Sequence, residues 1–425
     1  MPFRDDELRF KTITLPCEWI EDYRPGSYHP VSLGDVFNDG QYKVMRKLGE
    51  GSFSTVWLAN DLRNKNYVAL KIVVSAVSGQ MNEERILSCL ATLPEGKRYT
   101  TQLLSEFEHK GPNGNHKCLV FEIMGPNVNV MVEELPQFKP RKREMRVRYP
   151  PTMAKSILKQ SLQALALLHA NGIGCGDFQP GNMLFGIDGI ESLTEDKLWQ
   201  EEGTGAAQAS QVVGRLDGKD DLWAPSRLYV AQPLAQFTSY DNRLKIKLSD
   251  MGGAYFLSDP PSKLITPHGL RAPELVFAGK TGASLDVWSF GCLLFELITG
   301  EPLFCIVGSG HEDDDLALRF INRLGALPDE YYQAWKTLAL YVKPDGTLFN
   351  CRLGGVRAGE EPLMMPQQSM EEVFDEAKPD LDEDECAQVK ELIRWILQYD
   401  AAKRPSAEAI LLHPWFQAIR LADDL

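Results

Sequence analysis

Alternation of apolar and polar residues marks the first structured part of the chain. It runs through residues 42–48, returns after a glycine turn in residues 55–58, and appears again in residues 67–74. A period of two is typical of strands with one buried face, so these segments predict an antiparallel meander. Residues 82–91 have a helical pattern, and residues 118–121 predict a further strand.

Farther along the chain the spacing of apolar residues becomes helical. Residues 154–170 form an amphipathic pattern that stops before Gly172, and residues 285–299 are apolar on nearly every side. The second of these segments therefore predicts a buried central helix. Residues 391–399 and 406–412 predict shorter amphipathic helices.

The order of these elements predicts an α+β fold with two lobes. The small lobe, residues 41–124, is antiparallel and β-rich with one helix, and the larger lobe, residues 125–420, is mainly α-helical. Residues 1–40 carry Pro and Gly and predict an irregular N-terminal extension. Residues 190–225, with the Gly- and Ala-rich run 203–208, predict a flexible insert.

Composition narrows the partners and the compartment. The chain has 425 residues and a formal net charge of −14, which opposes direct binding to nucleic acids or anionic membranes and favours a basic substrate. Its eight cysteines form no CxxC pair, which indicates reduced thiols in a cytoplasmic or nuclear protein. The first residues lack the apolar core of a signal peptide, and residues 285–299 are too short to span a bilayer. We expect a monomer without membrane association.

A glycine turn and a lysine carry the first candidate chemistry. Gly49 and Gly51 lie between two predicted strands, where missing side chains let backbone N–H groups approach phosphate oxygens, although a plain hairpin has the same pattern. Lys71 lies mid-strand among apolar residues, where its ammonium would pair with phosphates and be held by a helix carboxylate. Glu83 is our choice for that carboxylate, with Glu84 as its competitor.

Three polar residues complete a set suited to phosphoryl transfer. Asp177 would accept the proton of an acceptor hydroxyl and orient it toward the γ-phosphorus of ATP. Asn182 would hold Mg²⁺ together with Asp250. Each is unremarkable alone, but their order after Lys71 and the glycine turn indicates an ATP-dependent phosphotransferase.

The remaining nucleotide contacts are assigned by position. Phe121 would fill the back of the pocket, and adenine would meet the backbone of Glu122 and Met124. The expected ATP-binding residues are Leu48, Gly49, Glu50, Gly51, Ser52, Phe53, Ser54, Val56, Ala69, Lys71, Phe121, Glu122 and Met124.

The downstream segments 271–274 (RAPE) and 286–291 (DVWSFG) are typical of the peptide-substrate half of protein kinases. Glu274 is expected to form an internal ion pair with Arg404 that anchors the loop before it. Such a pair is structural, so it bears on the fold rather than on catalysis.

With these motifs, the chain resembles the eukaryotic protein kinases over residues 41–418, and within them the SR-protein-specific kinases. The narrower resemblance rests on residues 22–31 (DYRPGSYHPV), 53–58 (FSTVWL, with serine at the third glycine position), 250–254 (DMGGA) and 311–318 (HEDDDLAL). The insert occupies the place of that family's spacer in shortened form.

The resemblance implies a bilobal protein-kinase-like fold and Mg²⁺- and ATP-dependent phosphorylation of serines in Arg/Ser-rich proteins such as splicing factors, in the cytoplasm and the nucleus. Acidic runs at residues 312–315 and 371–385 would attract a guanidinium-rich peptide, although such runs are commonly only solvated. The basic stretch 139–143 predicts either a nuclear import signal or a solvated connection between lobes.

Three residues near Asp177 depart from the common kinase pattern. Gly176 replaces an arginine that reads an activation-loop phosphate, so we expect constitutive activity. Cys175 replaces a histidine at a packing position. Gln179 replaces a lysine that steadies the transferring phosphate, and losing that cation should lower the rate.

Two alternatives remain open at this point. A kinase for a small hydroxylated cation, similar to aminoglycoside or choline kinases, is favoured by the run 176–182 (GDFQPGN) and opposed by Glu274 and Arg404. A pseudokinase that only binds partners is opposed because the lysine, the helix glutamate, the loop aspartate and both metal ligands are all present.

Overall fold

The computed structural model describes residues 8–79, 82–140, 146–203, 209–239, 243–306, 308–349 and 367–421. The chain divides into two compact units. The first unit comprises residues 1–131, 184–240 and 244–252, and the second comprises residues 132–183, 241–243 and 253–425.

The first unit is built on a six-stranded antiparallel sheet with the strand order β1-β2-β3-β4-β6-β5. Its strands are β1 (Val36–Phe37), β2 (Tyr42–Gly51), β3 (Ser54–Asp61), β4 (Asn66–Val73), β5 (Leu103–Gly111) and β6 (Gly114–Phe121). The four predicted strands are confirmed as β2, β3, β4 and β6. The two edge strands, β1 and β5, were not predicted.

The described residues also form three short two-stranded sheets, which pair β10 with β9, β11 with β8, and β12 with β7. Their ranges are β7 (Ile173–Gly174), β8 (Met183–Phe185), β9 (Ser210–Val212), β10 (Arg227–Tyr229), β11 (Ile246–Leu248) and β12 (Tyr255–Phe256). Of these, β9, β10 and β11 belong to the first unit, and β7 and β12 belong to the second.

Most α-helices of the described chain belong to the second unit. In chain order the helices are α1 (Glu83–Ala91), α2 (Gly96–Tyr99), α3 (Val128–Glu134), α4 (Pro151–Ala170), α5 (Glu195–Leu198), α6 (Pro273–Ala278), α7 (Ala283–Thr299), α8 (Glu312–Leu324), α9 (Asp329–Ala334), α10 (Met370–Ala377), α11 (Glu383–Ile396), α12 (Ala407–Leu411) and α13 (Pro414–Ala418). An antiparallel sheet and a separate set of helices confirm the α+β prediction.

The predicted flexible insert is wrong for its described part. Ile190 and Leu198 are buried in one apolar cluster with Met45 of β2 and Leu58 of β3. The following residues form the strands β9 and β10, which pair with each other in an antiparallel register. Burial of these apolar side chains holds the segment on the sheet, whereas residues 204–208 lie outside the described residues.

The second unit is organised around helix α7. Its residues are buried on nearly every side, as the continuous apolar run predicted. Trp288 of this helix stacks against Phe304 and meets the edges of Phe320, with ring centroids 6.0 and 5.3 Å apart. Such aromatic contacts add to apolar burial and fix one packing arrangement. No helix among the described residues is long and apolar enough to cross a bilayer.

Candidate active site

The glycine-rich turn joins β2 to β3 in the first unit. Gly51 pairs with Ser54 across the turn, which leaves Ser52 and Phe53 at its tip. A Cβ atom added at Gly49 or Gly51 would meet no atom of the described part of the chain within 4 Å, so packing there does not require these glycines. Their missing side chains instead leave the backbone approachable from outside, as a phosphate loop requires.

Lys71 lies in β4 and is enclosed by two carboxylates of the same unit. Its ammonium donates to both oxygens of Glu83, at 2.8 and 3.1 Å, and to Oδ1 of Asp250 at 2.8 Å. The Glu83 side chain is fully buried, whereas the Asp250 side chain is 50% exposed. The carboxylate of Asp250 is therefore accessible to a ligand, whereas that of Glu83 is enclosed beside the lysine.

Local structure explains how these groups meet. Glu83 is the first residue of α1, and Asp250 follows β11 in the left-handed backbone region with φ of 53°. That conformation is uncommon for a residue with a side chain and is concentrated at functional sites. Glu84, the competing partner, instead accepts from Lys117 at 2.7 Å.

Charge governs the protonation states of this cluster. Burial opposes the ammonium of Lys71, but the carboxylates of Asp250 and Glu83 outweigh it and raise the pKa of Lys71 above its ordinary value. In turn, the positive charge of Lys71 lowers the pKa of Asp250. Lys71 and Asp250 are therefore both ionised at neutral pH.

The segment after β6 holds the residues assigned to adenine. Phe121 ends that strand opposite Ala69 of β4, and Met124 is buried. The carboxylate of Glu122 accepts from Lys247 at 2.6 and 2.8 Å. The backbone N–H of Glu122 donates to the backbone carbonyl of Gln102. Lys247 had not been singled out from the sequence, because nothing in its local pattern points to a partner so far along the chain.

In the second unit, Asp177 is held by neighbouring amides. Gln179 donates its side-chain N–H to Oδ1 of Asp177 at 2.7 Å, and Asn182 donates to Oδ2 at 2.8 Å. Asn182 also donates to the backbone carbonyl of Asp177 at 3.0 Å. Both carboxylate oxygens of Asp177 therefore have fixed directions. Gln179, which stands where the common kinase pattern has lysine, helps to fix them.

Asp286 positions the loop that carries Asp177. Its two carboxylate oxygens accept from the backbone N–H groups of Cys175 and Gly176, at 2.8 and 2.9 Å, and Oδ2 also lies 2.9 Å from Nε2 of His169. The sequence placed Asp286 in a kinase-like motif without assigning it a role. Cys175 is buried, as expected for a packing position.

Gly176 is required by its surroundings. Its φ is +68°, and an added Cβ atom would lie 2.4 Å from the carbonyl oxygen of Gly253. An arginine at this position would be strained and would collide with that backbone. The carbonyl of Gly176 accepts from the hydroxyl of Thr266 at 2.5 Å, and Arg271 donates to the carbonyl of Thr266 at 2.8 Å.

The predicted pair of Glu274 and Arg404 is confirmed. The guanidinium donates to both carboxylate oxygens at 2.6 and 2.7 Å, and both side chains are buried. Arg404 also lies over the ring of Trp288, 4.8 Å from its centroid. The bidentate geometry and the ring contact make the pair a fixed element of the second unit.

The acidic runs are largely engaged in internal contacts. Asp314 accepts from the side chains of Trp335, Thr337 and Tyr341, so it stabilises the fold around α8. Asp313 lies 3.7 Å from Arg271 and keeps a side chain that is 64% exposed.

In the second run, Glu371 pairs with Arg394 and Asp375 pairs with Lys390. Asp382 accepts from the backbone of Glu385 at the start of α11. These contacts give both acidic runs a structural role beside the predicted attraction of a basic peptide.

The basic stretch is described only at its edges. Lys139 pairs with Glu134, whereas residues 141–143 lie outside the described residues. Beyond them, Arg146 donates to the carbonyl of Ala377 at 2.6 Å, and Arg148 pairs with Asp380 at 2.9 Å.

Comparison with known proteins places the chain in a family. The protein kinase domain family matches residues 42–191 and 238–416. The serine/threonine-protein kinase SRPK of Physarum polycephalum is 32% identical over 94% of this chain and 91% of its own length. The protein kinase dsk1 of Schizosaccharomyces pombe is 29% identical, over 95% of this chain and 85% of its own.

A human relative and a solved structure agree with this result. SRSF protein kinase 3 of Homo sapiens is 26% identical over 93% of this chain and 89% of its own. A crystal structure of a kinase domain has a TM-score of 0.61 and 22% identity, covering 92% of this chain and 98% of that one, and so supports the fold. The chain therefore belongs to the protein kinase family and, within it, to the SRPK group of serine/threonine kinases.

Proposed function

We propose that this kinase transfers the γ-phosphate of ATP to serines in Arg/Ser-rich proteins of the splicing-factor class. Protein kinases as a family use ATP with a divalent metal ion. The observation that carries the proposal is the enclosure of Lys71 by Glu83 and Asp250 in a chain of the SRPK group. That arrangement offers an ionised lysine to the phosphates.

On the nucleotide side, the ammonium of Lys71 would bind the α- and β-phosphates, and Glu83 would keep it in place. Mg²⁺ prefers hard oxygen ligands, and the half-exposed carboxylate of Asp250 is one such group. Asn182 donates its amide nitrogen to Asp177, and its carboxamide oxygen is a second ligand of the kind that Mg²⁺ prefers. When bound, Mg²⁺ neutralises charge on the phosphates.

On the acceptor side, Asp177 would accept the proton of the serine hydroxyl. The amides of Gln179 and Asn182 hold its two oxygens without adding charge beside it. A carboxylate whose orientation is fixed in this way is suited to orient an acceptor and receive its proton in one position.

The chain's charge supports a basic substrate. The net charge is −14, which attracts an arginine-rich peptide at long range and repels phosphate backbones. Exposed carboxylates of α8 such as Asp313 are available for the arginines, whereas Asp314 is committed to the fold. We extend the proposal to a monomer that acts in the cytoplasm and the nucleus without direct contact to nucleic acid.

We also propose that activity does not depend on phosphorylation of the segment between Asp250 and Glu274. In this segment, the hydroxyl of Thr266 donates to the carbonyl of Gly176, and Arg271 donates to the carbonyl of Thr266. The segment is therefore held in place without a phosphate. Treatment with a protein phosphatase should therefore change the rate by less than about twofold. A loss of activity that returns on rephosphorylation would contradict this proposal.

The two alternatives are less well supported. Membership in the protein kinase family and the buried pair of Glu274 and Arg404 oppose a small-molecule kinase. The contacts of Lys71 with Glu83 and Asp250 oppose a pseudokinase.

A transfer assay tests the proposal. The protein is incubated with Mg²⁺ and labelled ATP, together with an Arg-Ser repeat peptide, a peptide with serines among acidic residues, or small aminoalcohols. We expect label on the Arg-Ser peptide alone. Label on the aminoalcohols would favour the small-molecule kinase, and no transfer to any acceptor would favour the pseudokinase.

A further inference from the structure

A tyrosine of the N-terminal extension reaches the glycine-rich turn. The hydroxyl of Tyr28 donates to the backbone carbonyl of Gly51, the last residue of β2, at 2.8 Å. Tyr28 is 6% exposed. Burial raises the pKa of Tyr28 to about 12, so the hydroxyl keeps its proton and remains a donor at neutral pH.

Tyr28 is itself firmly held. Its backbone carbonyl accepts from the side chain of Asn113, and its ring packs 5.7 Å from the ring of Tyr23 within a buried apolar cluster. Just before Tyr28, the carbonyl of Gly26 accepts from the backbone N–H of Ala76 at 2.7 Å, and the carbonyl of Ser27 accepts from that of Ser75 at 3.2 Å. The hydroxyl is therefore a fixed point against which the turn is set.

Strand β2, which leads into the glycine-rich turn, is held in place just before that turn. Lys47 is fully buried, and its ammonium pairs with Glu18 of the extension and, at 3.1 Å, with Glu50. Its backbone N–H donates to the side chain of Gln200 at 3.0 Å, and its ammonium also donates to the carbonyl of Tyr229. The extension and the insert thus hold the strand up to the point where Tyr28 holds the turn.

The hydrogen bond to Gly51 sets a peptide plane. In a trans peptide, the carbonyl of one residue and the N–H of the next point in opposite directions. When Tyr28 fixes the carbonyl of Gly51, it also fixes the N–H of Ser52 toward the side away from Tyr28. Glycine would otherwise let this plane rotate, and ordering it on binding would weaken affinity for a phosphate.

We propose that Tyr28 is a positioning residue for the nucleotide, which orients the Ser52 N–H toward the phosphates of ATP through the carbonyl of Gly51. The inference rests on the proposed function, because it assigns the glycine turn to ATP. It adds a residue of the N-terminal extension to the determinants of nucleotide affinity.

The test is Tyr28→Phe, which removes the hydroxyl and keeps the ring. We expect the Kd for a fluorescent Mg-ATP analogue and the KM for ATP to rise about three- to tenfold, as for the loss of one neutral hydrogen bond. At saturating ATP, kcat and the KM for the peptide should stay within about twofold of the wild type. In the Mg-ATP complex, hydrogen exchange of the Ser52 amide should become faster, because its hydrogen bond to the phosphates is weakened.

Tyr67→Phe is the matched control. The hydroxyl of Tyr67 donates to the backbone carbonyl of Leu193 at 3.0 Å, so this variant loses the same kind of bond in the same unit, away from the turn. It should lose similar thermal stability without changing the Kd, the KM or the exchange of the Ser52 amide. A Tyr28→Phe protein with wild-type Kd and exchange would overturn the inference, as would equal changes in both variants.

The Kd and the exchange rate are measured without any acceptor. If the wild type binds Mg-ATP but does not label the Arg-Ser peptide, the proposed substrate fails while the role of Tyr28 is still tested. If Tyr28→Phe melts far below Tyr67→Phe, its exchange is compared at a lower temperature where both proteins are folded. Uniformly fast exchange throughout the sheet, rather than at the turn, would then refute a local positioning role.

Discussion

The two units treat their central ionisable residues in opposite ways. In the first, one ammonium, Lys71, is enclosed by the carboxylates of Glu83 and Asp250. In the second, Asp177 has its two oxygens held by the neutral amides of Gln179 and Asn182. The charged cluster is suited to phosphates and a divalent cation, whereas the amide-held carboxylate is suited to take a proton from an acceptor.

The largest expected effect comes from Asp177→Asn, which keeps the shape of the side chain and removes the proton acceptor. Transfer to the Arg-Ser peptide should fall by about 10²–10⁴-fold, the usual contribution of a positioned base. Steady-state kinetics measure the loss, and Asp259→Asn, a change of the same type at an exposed residue of the second unit, should leave the rate unaltered. A rate within tenfold of the wild type for Asp177→Asn would remove Asp177 from this role.

A smaller effect should follow from placing a cation beside Asp177. In Gln179→Lys the ammonium would stabilise the transferring phosphate, so kcat should rise by roughly three- to thirtyfold. Gln179→Met, which removes the hydrogen bond to Asp177 without adding charge, is the matched control and should not gain rate. If the lysine variant is no faster than the wild type, the neutral surroundings of Asp177 do not limit turnover.

The smallest effect concerns a histidine cluster in the first unit. The rings of His109 and His116 lie 4.6 and 5.0 Å from the ring of His29, and the buried Nδ1 of His29 has no hydrogen-bond partner among the described residues. Burial, together with these two histidines, lowers the pKa of His29 to about 3, and burial also lowers the pKa values of His109 and His116. The carboxylate of Asp35 opposes the shift at His109.

Below pH of about 6.5 the unfolded chain binds a proton at His29 that the folded chain excludes. The free energy of unfolding should therefore fall by roughly 1 kcal/mol per pH unit for this residue between about pH 6 and pH 4. Denaturant unfolding at several pH values measures the slope. His29→Leu should flatten it, the exposed His311→Asn should not, and an unchanged slope in His29→Leu would contradict the assignment.

Long periodic segments could be predicted from the sequence, because alternation or helical spacing directly reflects which face is buried. Strands β2 to β4 and helices α4 and α7 are of this kind. Strand β5 was missed because it is an edge strand with mostly exposed residues, and α8 was missed because its four acidic residues suggested only a charged run. Packing of the insert depends on apolar partners far along the chain, which a local pattern does not contain.

For the candidate site, motif order and spacing identified which residue types are present, and their catalytic roles stay predictions. Glu83 was predicted as the partner of Lys71 and is found there, but other partners could not be predicted, because they come from distant segments. Asp286 and Lys247 meet the site residues only in the folded chain. Gln179 was recognised as a replaced lysine, yet its hydrogen bond to Asp177 depends on the backbone path of the loop.

In the proposed division of roles, the charged cluster around Lys71 binds the nucleotide with its metal ion and Asp177 binds the acceptor. The most direct test measures ATP binding as a function of Mg²⁺ concentration for the wild type, Asp250→Asn and Asp177→Asn. We predict that the Mg²⁺ concentration required for half-maximal ATP binding rises about tenfold or more in Asp250→Asn, because a metal contact is lost. In Asp177→Asn this concentration should stay within about threefold of the wild-type value. Equal Mg²⁺ requirements in the two variants, or a larger shift in Asp177→Asn, would contradict the claim.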